Sequence, residues 1–366
     1  MFLNFIITTL ILYKINSQNY NEYKPVIGIY GNPYPDNDEN KGNISYYPGA
    51  IIRFLESFGA ETLPIHQWYN ESFIDDILNK INGFIFIPGL RDLNKNYNWE
   101  KKTLYIINKG KKNNLAIWGI CEGFELIVSL ISDDFSILKS GYQDLSVYHG
   151  IYNITNNSRI FSLFDNKSIE ILLNNKPLLY HHEKGFDKND FLNNNNLSNE
   201  FIISSMADDI KGKFFVNSIE SSNKSENIFG FQFHNEYIIY QRTKNSSLFN
   251  EHNAIKIVTL FNSFIVETAR KNKNKFPKEN REFYNFFDLY SNTTKYNSYD
   301  KDNDIFYFYK PKVEVNIHIL PLIVIIFFEC IVLFTICNAF YHFCYKYEKV
   351  EINENEDQQK LITEND

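Results

Sequence analysis

Cys121 stands in the run Ala116-Ile117-Trp118-Gly119-Ile120-Cys121-Glu122-Gly123-Phe124-Glu125-Leu126, where an apolar strand pattern enters G-x-C-x-G and leaves as a helical pattern. That is the layout of a nucleophile elbow with Cys in place of Ser. A turn this sharp leaves no room for a Cβ on either flank, which accounts for Gly119 and Gly123. It also sets the sulfur at a helix N-terminus, where the dipole and unbonded N–H groups are expected to lower the thiol pKa. Amides there, notably that of Glu122, can hold a developing oxyanion. A lone Cys is most often an inert core residue. Here the other cysteines are Cys330, Cys337 and Cys344, so Cys121 has no disulfide partner in the preceding part of the chain and reads as a reactive thiol.

A base for that thiol is offered by Gly230-Phe231-Gln232-Phe233-His234-Asn235-Glu236. On extended chain His234 and Glu236 project to the same face, so the carboxylate can orient the imidazole. Exposed His/Glu pairs are common, but this one follows an apolar strand. Together with the elbow it makes a Cys/His/Glu set of the kind used in nucleophilic catalysis. Metal is not expected: the adjacent His181 and His182 face apart on extended chain, and no H-E-x-x-H occurs. No cofactor is expected either.

Such residues need a scaffold, and the pattern from residue 25 supplies one. Apolar strand candidates at 25–30, 61–65, 84–87 and 115–119 alternate with helix candidates at 48–58, 73–80 and 99–109. This βαβα alternation predicts an α/β fold, a mostly parallel sheet with helices on both faces, whose ligands sit at the carboxyl ends of the strands. After residue 140 the reading is of shorter strands at 177–180, 201–205, 214–219 and 228–233, a polar loop at 193–196, and a last helix at 251–270.

The composition, 44% hydrophobic and 22% charged over 366 residues, excludes wholesale disorder. The net charge of −7 provides no basic field for nucleic acid, so no nucleic-acid partner is expected. Residues 1–17 read as a signal peptide and 271–316 as a polar linker. Residues 317–337 read as one transmembrane helix of a single-pass type I protein, added to the α/β domain, with 338–366 as its cytoplasmic tail. An ectodomain ending near Asp304 is accordingly expected to keep full activity. Nine N-x-S/T sequons, headed by Asn43, Asn70, Asn153, Asn156, Asn166, Asn196, Asn223, Asn245 and Asn292, all precede that segment and suit a glycoprotein of the secretory pathway. Cys344, beyond the predicted membrane boundary, is a candidate for S-acylation.

Over about residues 24–270 the chain resembles the gamma-glutamyl hydrolases, cysteine peptidases of the class I glutamine-amidotransferase-like superfamily. The matching stretches are 25–30, YYPGAIIRFLESFGAETLP at 46–64, NGFIFIPG at 82–89, IWGICEGFE at 117–125 and GFQFHNE at 230–236. Tyr46 with Ser57-Phe58-Gly59-Ala60, and Glu125, point to this family within the superfamily. The resemblance implies Cys121 as nucleophile, His234 as base and Glu236 as its orienter, with Gly89, Leu90 and the Glu122 amide at the oxyanion. It implies Tyr46, Glu125 and a histidine of the 181–182 pair, with His182 preferred, at the substrate. The chain departs from the family at Leu90, where a second Gly is usual, at Phe233 and Asn235, where Trp and Pro are usual, and in its transmembrane segment.

The function expected is hydrolysis of gamma-glutamyl bonds, with folate polyglutamate as the small-molecule substrate implied by the resemblance. The alternatives are an amidase acting on another small gamma-glutamyl compound and a membrane-anchored, non-catalytic binding module. The resemblance places the protein in a lysosome or vacuole or on the extracellular face. Oligomeric state is open, a homodimer being one assembly it allows.

Overall fold

The computed structural model describes residues 24–33, 43–89, 91–93, 98–240, 252–277, 297–301, 303–310 and 337–338. Contacts divide the chain into one unit through Lys310 and a second from Pro311 onward. The expected signal peptide, most of the expected transmembrane segment, Cys330, Cys344 and Leu90 lie outside the described residues. Among the described residues no helix is long and apolar enough to cross a membrane, and Cys337 is exposed.

The first unit is built on a seven-stranded sheet in the order β4-β1-β5-β6-β11-β10-β9. Its strands are β1 (Val26–Tyr30), β4 (Glu61–Ile65), β5 (Gly83–Phe86), β6 (Ala116–Ile120), β9 (Phe201–Asp208), β10 (Phe214–Ser221) and β11 (Asn227–Phe231). The five from β4 to β11 run parallel, and β10 is antiparallel to both of its neighbours. The parallel strands are buried throughout except at single end residues, as continuous apolar runs require in a sheet covered on both sides.

Strand residues alternate between two cores. Ile27, Ile29, Ile85, Trp118, Ile120, Phe229 and Phe231 face a layer containing α1 (Gly49–Ser57) and α9 (His252–Arg270). Val26, Tyr30, Phe84, Phe86, Ile117 and Ile228 face α2 (Glu71–Leu78), α3 (Asn98–Lys112) and α4 (Glu122–Ser132). The helices stop where local chemistry makes them stop. In α1 the apolar stripe Ile51, Ile52, Phe54, Leu55 runs from Pro48 to Gly59, whose φ of +84° closes a Schellman turn. There Gly59 N–H donates to Glu56 O at 3.0 Å and Ala60 N–H to Leu55 O at 3.1 Å. The start of α2 is fixed by Asn70, whose side chain accepts from Phe73 N–H at 2.8 Å.

A two-stranded ribbon joins β7 (Leu138–His149) to β8 (Leu178–Phe186), and three helices, α5 (Asn166–Asn174), α6 (Lys188–Asn193) and α7 (Asn195–Glu200), lie between the later strands. Residues 193–196, expected as a polar loop, instead end α6 and begin α7, where Asn194 accepts from Leu197 N–H at 3.1 Å.

The expected linker is the largest departure. Residues 297–309 form β12 (Asn297–Asp300) and β13 (Ile305–Tyr309), and β13 pairs antiparallel with β3 (Ile44–Pro48) in a four-stranded sheet completed by β2 (Asn32–Pro33). Phe306 is 1% exposed. Asp304 is buried and forms an ion pair with Arg53 of α1. Gly49 N–H, the first amide of α1, donates to Asp304 O at 2.8 Å. Apolar alternation in this polar stretch rests on a few aromatics, which made it look like a tether. Cutting at Asp304 would remove β13, so that truncation is instead expected to lose stability and activity.

Candidate active site

The carboxyl ends of four adjacent parallel strands, β1, β5, β6 and β11, converge on one region, the place where this architecture binds ligands. Asn32 follows β1, Gly89 follows β5, Cys121 follows β6, and His234 follows β11. Cys121 is held by its own N–H, which donates to Phe231 O at 2.8 Å across the β6/β11 seam. Its φ of +50° and ψ of −113° are strained for a residue with a side chain. The flanking glycines behave as expected: a Cβ on Gly119 would lie 2.5 Å from Gly123 O, and one on Gly123 would lie 2.2 Å from Phe86 O.

The thiol does not behave as expected. Burial, and then the charges of Glu125, Glu122 and Glu236, push its pKa well above the ordinary value, and a hydrogen bond from the Glu122 backbone opposes them only in part. Cys121 is 4% exposed. Desolvation and three carboxylates therefore favour the neutral thiol over the thiolate. It points toward His181 O at 3.7 Å, with Gln232 Nε2 at 3.9 Å.

His234 and Glu236 meet as the i, i+2 spacing predicted, with Nδ1 and Oε1 2.8 Å apart and both residues buried. Nδ1–H donating to the carboxylate leaves Nε2 with its lone pair, and this buried Nε2 makes no hydrogen bond to the described residues. The imidazole stacks on Tyr237, 4.7 Å between centroids and 11° from parallel. Tyr237 begins α8 (Tyr237–Tyr240) and was not singled out in the sequence. Burial and the nearby Glu236, Tyr46 and Cys121 raise its phenol well above the ordinary value. The departures from the family pattern have a structural counterpart. Phe233 packs on Phe261 at 4.8 Å, and Asn235 donates to Asn262 of α9. His234 N–H donates to Leu179 O at 2.8 Å, so the turn after His234 is pinned without Pro.

Glu125 lies one helical turn beyond Cys121 and accepts from Gln232 Nε2 at 2.9 Å. Burial raises its pKa from 4.5 to about 7, with smaller opposing effects from Gln232 and His182. A carboxyl that keeps its proton to higher pH in the folded chain than in the unfolded one makes stability fall as pH rises through that interval. We expect the urea midpoint of wild type to decline from about pH 4.5 to 7 because of this group, on the order of 3 kcal/mol at most. Glu125→Gln is expected to flatten that part of the profile. An unchanged slope in the variant would show that the proton resides elsewhere.

The two histidines of the 181–182 pair have different surroundings. His182 is buried, with Nδ1 donating to Lys184 O at 2.7 Å and Nε2 3.4 Å from Asp144 Oδ2. Asp144, 0% exposed, also has Oδ1 3.4 Å from His149 Nε2. His181 is the half-exposed member: its Nδ1 is 3.0 Å from Ser146 Oγ, and its carbonyl faces Cys121 Sγ. Burial, and then the charges of His234 and His182, lower its pKa. Asp144 was invisible in the sequence because nothing in a single β7 residue signals two histidine partners on other parts of the ribbon. Among the described residues no group of three or more His, Cys, Asp or Glu could hold a metal ion.

Tyr46, on β3 opposite Tyr307 of β13, joins the other side of the site. Its hydroxyl is 3.4 Å from Asn32 Nδ2, and burial, with Glu122 second, raises its pKa to about 12. Two arginines are engaged by acids: Arg53 donates to Asp304 and to Tyr240 O, and Arg91 donates to Glu122.

A parallel α/β sheet whose strand ends bring a buried cysteine elbow beside a His/Glu pair defines the class to which this protein was expected to belong. Residues 43–254 match the family described as glutamine amidotransferase class-I. The chain is 27% identical over 277 residues to gamma-glutamyl hydrolase B of Dictyostelium discoideum, covering 73% of this chain and 79% of that protein. It is 27% identical over 263 residues to gamma-glutamyl hydrolase 1 of Arabidopsis thaliana, with coverages of 69% and 74%. The human gamma-glutamyl hydrolase is 25% identical over 280 residues, with coverages of 73% and 86%. The chain belongs to the class-I glutamine amidotransferase family, in its gamma-glutamyl hydrolase branch, and is a hydrolase.

Proposed function

We propose that the protein hydrolyses gamma-glutamyl bonds of folate polyglutamates through an acyl-enzyme on Cys121. The observation that carries this reading is the buried His234–Glu236 pair, its Nε2 uncommitted, just past β11, the strand that pairs with β6 and its strained cysteine elbow. Cys121 Sγ attacks the carbonyl carbon while His234 Nε2 takes the thiol proton. The oxyanion is met by the Glu122 amide and the 89–90 loop, His234 returns the proton to the leaving amine, and water releases the acyl group. Glu236 orients the imidazole. Glu125, Tyr46 and the 181–182 pair serve the substrate, His181 being the more exposed of the two histidines.

A cleft of about 480 Å³ on the β7–β8 ribbon, lined by Tyr142, Gln143, Leu145, Glu183, Lys184 and Ile210, includes none of the catalytic residues. Lys184 also acts on Glu125 by its charge and is a candidate for a substrate carboxylate. The reading extends to a secreted or lumenal, single-pass membrane glycoprotein, supported by the apolar run at 317–337. Seven of the nine sequon asparagines, Asn43, Asn70, Asn153, Asn156, Asn166, Asn196 and Asn223, are exposed, and the other two are outside the described residues.

The test is incubation of the full chain with pteroyl-polyglutamate, using Cys121→Ala as the blank. Release of glutamate or shortened folate by wild type alone is the expected outcome. No release by wild type would refute the substrate, and equal release by both proteins would refute the nucleophile.

A further inference from the structure

The residue after the elbow cysteine has a side chain that the mechanism above does not use. Glu122 is 3% exposed, and its carboxylate turns away from the helix onto the segment that follows β5. Oε2 accepts from the backbone N–H of Arg91. Oε1 accepts from Arg91 Nε at 3.1 Å, from Arg91 Nη2 at 2.7 Å and from Asn32 Nδ2 at 3.3 Å. Asn32 in turn donates to Pro88 O at 3.0 Å. The guanidinium of Arg91 lies 3.3 Å from the ring centroid of Trp99. At Gly89 the carboxylate lies flat against the chain: a Cβ there would be 2.6 Å from Oε1 and 2.7 Å from Oε2. Pro88 is thus tied by Asn32 and Arg91 by Glu122, and the Glu122 amide belongs to the same residue as the carboxylate that makes the second tie.

A carboxylate here also has a cost. Its charge raises the Cys121 thiol pKa, and it opposes any negative charge developing beside it. A buried acid in that place needs compensation, which the Arg91 ion pair and the Asn32 amide supply. Its benefit is geometric, because preorganised donors lose their effect when misplaced by about 1 Å.

We propose that the Glu122 side chain, clamped to Arg91 and Asn32, is a positioning residue that fixes Gly89 and Arg91 relative to the Glu122 amide, so that the two halves of the oxyanion site keep one spacing. The proposal rests on the acyl-transfer reading of Cys121 but not on the identity of the substrate.

Two reactions of the same thiol separate the clamp from general damage. Acylation of Cys121 by p-nitrophenyl acetate passes through a tetrahedral oxyanion, whereas alkylation by iodoacetamide displaces iodide and forms none. In Glu122→Ala the acylation rate constant is expected to fall about 10- to 100-fold, somewhat less than loss of a complete oxyanion donor. The alkylation rate constant is expected to hold or rise. Arg91→Ala leaves the Glu122 charge uncompensated, so its alkylation should fall somewhat and its acylation further, and the double variant should acylate little worse than either single one, because the two act as one unit. Glu122→Gln keeps an acceptor for Arg91 N–H and should lie between wild type and Ala.

Equal losses in both reactions, or acylation that is unchanged or faster in Glu122→Ala, would overturn the clamp. Wild type that fails on pteroyl-polyglutamate yet shows the split on p-nitrophenyl acetate would refute the folate reading and leave the clamp standing.

Discussion

His234→Ala is expected to lower kcat/KM by about 10²- to 10⁴-fold, and to do so more severely at pH 6 than at pH 9. The reason lies in the thiol. Burial and the charges of Glu125, Glu122 and Glu236 hold the Cys121 proton, so this site does not keep a resting thiolate that could act unaided. Proton removal must accompany attack, and His234 Nε2 is a buried base that makes no hydrogen bond to the described residues. High pH supplies thiolate without the base and should recover part of the lost rate. Iodoacetamide labelling near neutral pH should fall in parallel. A His234→Ala protein with a wild-type pH profile would mean that another group deprotonates Cys121.

Truncation after residue 296 is expected to leave no stably folded, active protein. The hairpin β12–β13 supplies Phe306 to the main core, and loss of one buried Phe costs about 3–5 kcal/mol. It also supplies Asp304, and breaking a buried ion pair by removing one partner costs about 3–5 kcal/mol more. Those losses together approach the whole stability of an ordinary domain, about 5–15 kcal/mol. The hairpin reaches the site as well, through the pairing of Tyr307 with Tyr46. Urea denaturation and hydrolysis assays on chains ending at 296 and 310 would measure this directly. A 296-residue chain with the stability and activity of the longer one would show the hairpin to be dispensable. Asp304→Ala in the full chain offers a milder version, expected to lower the urea midpoint.

Much of this architecture could be read from residue order, for identifiable reasons. The first four strands of the parallel sheet are apolar runs of four or five residues punctuated by helices, a signal carried by neighbours in sequence. The elbow is legible because its glycines are required by backbone contacts at 2.2–2.5 Å, and the His234–Glu236 bond because i, i+2 spacing is enough to make it. What was missed depends on partners far apart. The Asp144–His182 contact spans the ribbon. The Arg91–Glu122 tie joins two strand ends. Tyr237 matters only because it stacks on His234. The thiol pKa was misjudged in direction because the helix terminus is visible in sequence while the burial of three surrounding acids is not.

The neutral state of Cys121 also bears on how long such a residue survives. Peroxides and mixed disulfides react with thiolates, and a thiol that is 4% exposed with its proton held by surrounding carboxylates offers little thiolate until a bound carbonyl and His234 draw the proton off. A free cysteine open to oxidants would otherwise be consumed. Here burial first, and then the anionic neighbourhood that burdens each turnover, disfavour the reactive thiolate between turnovers.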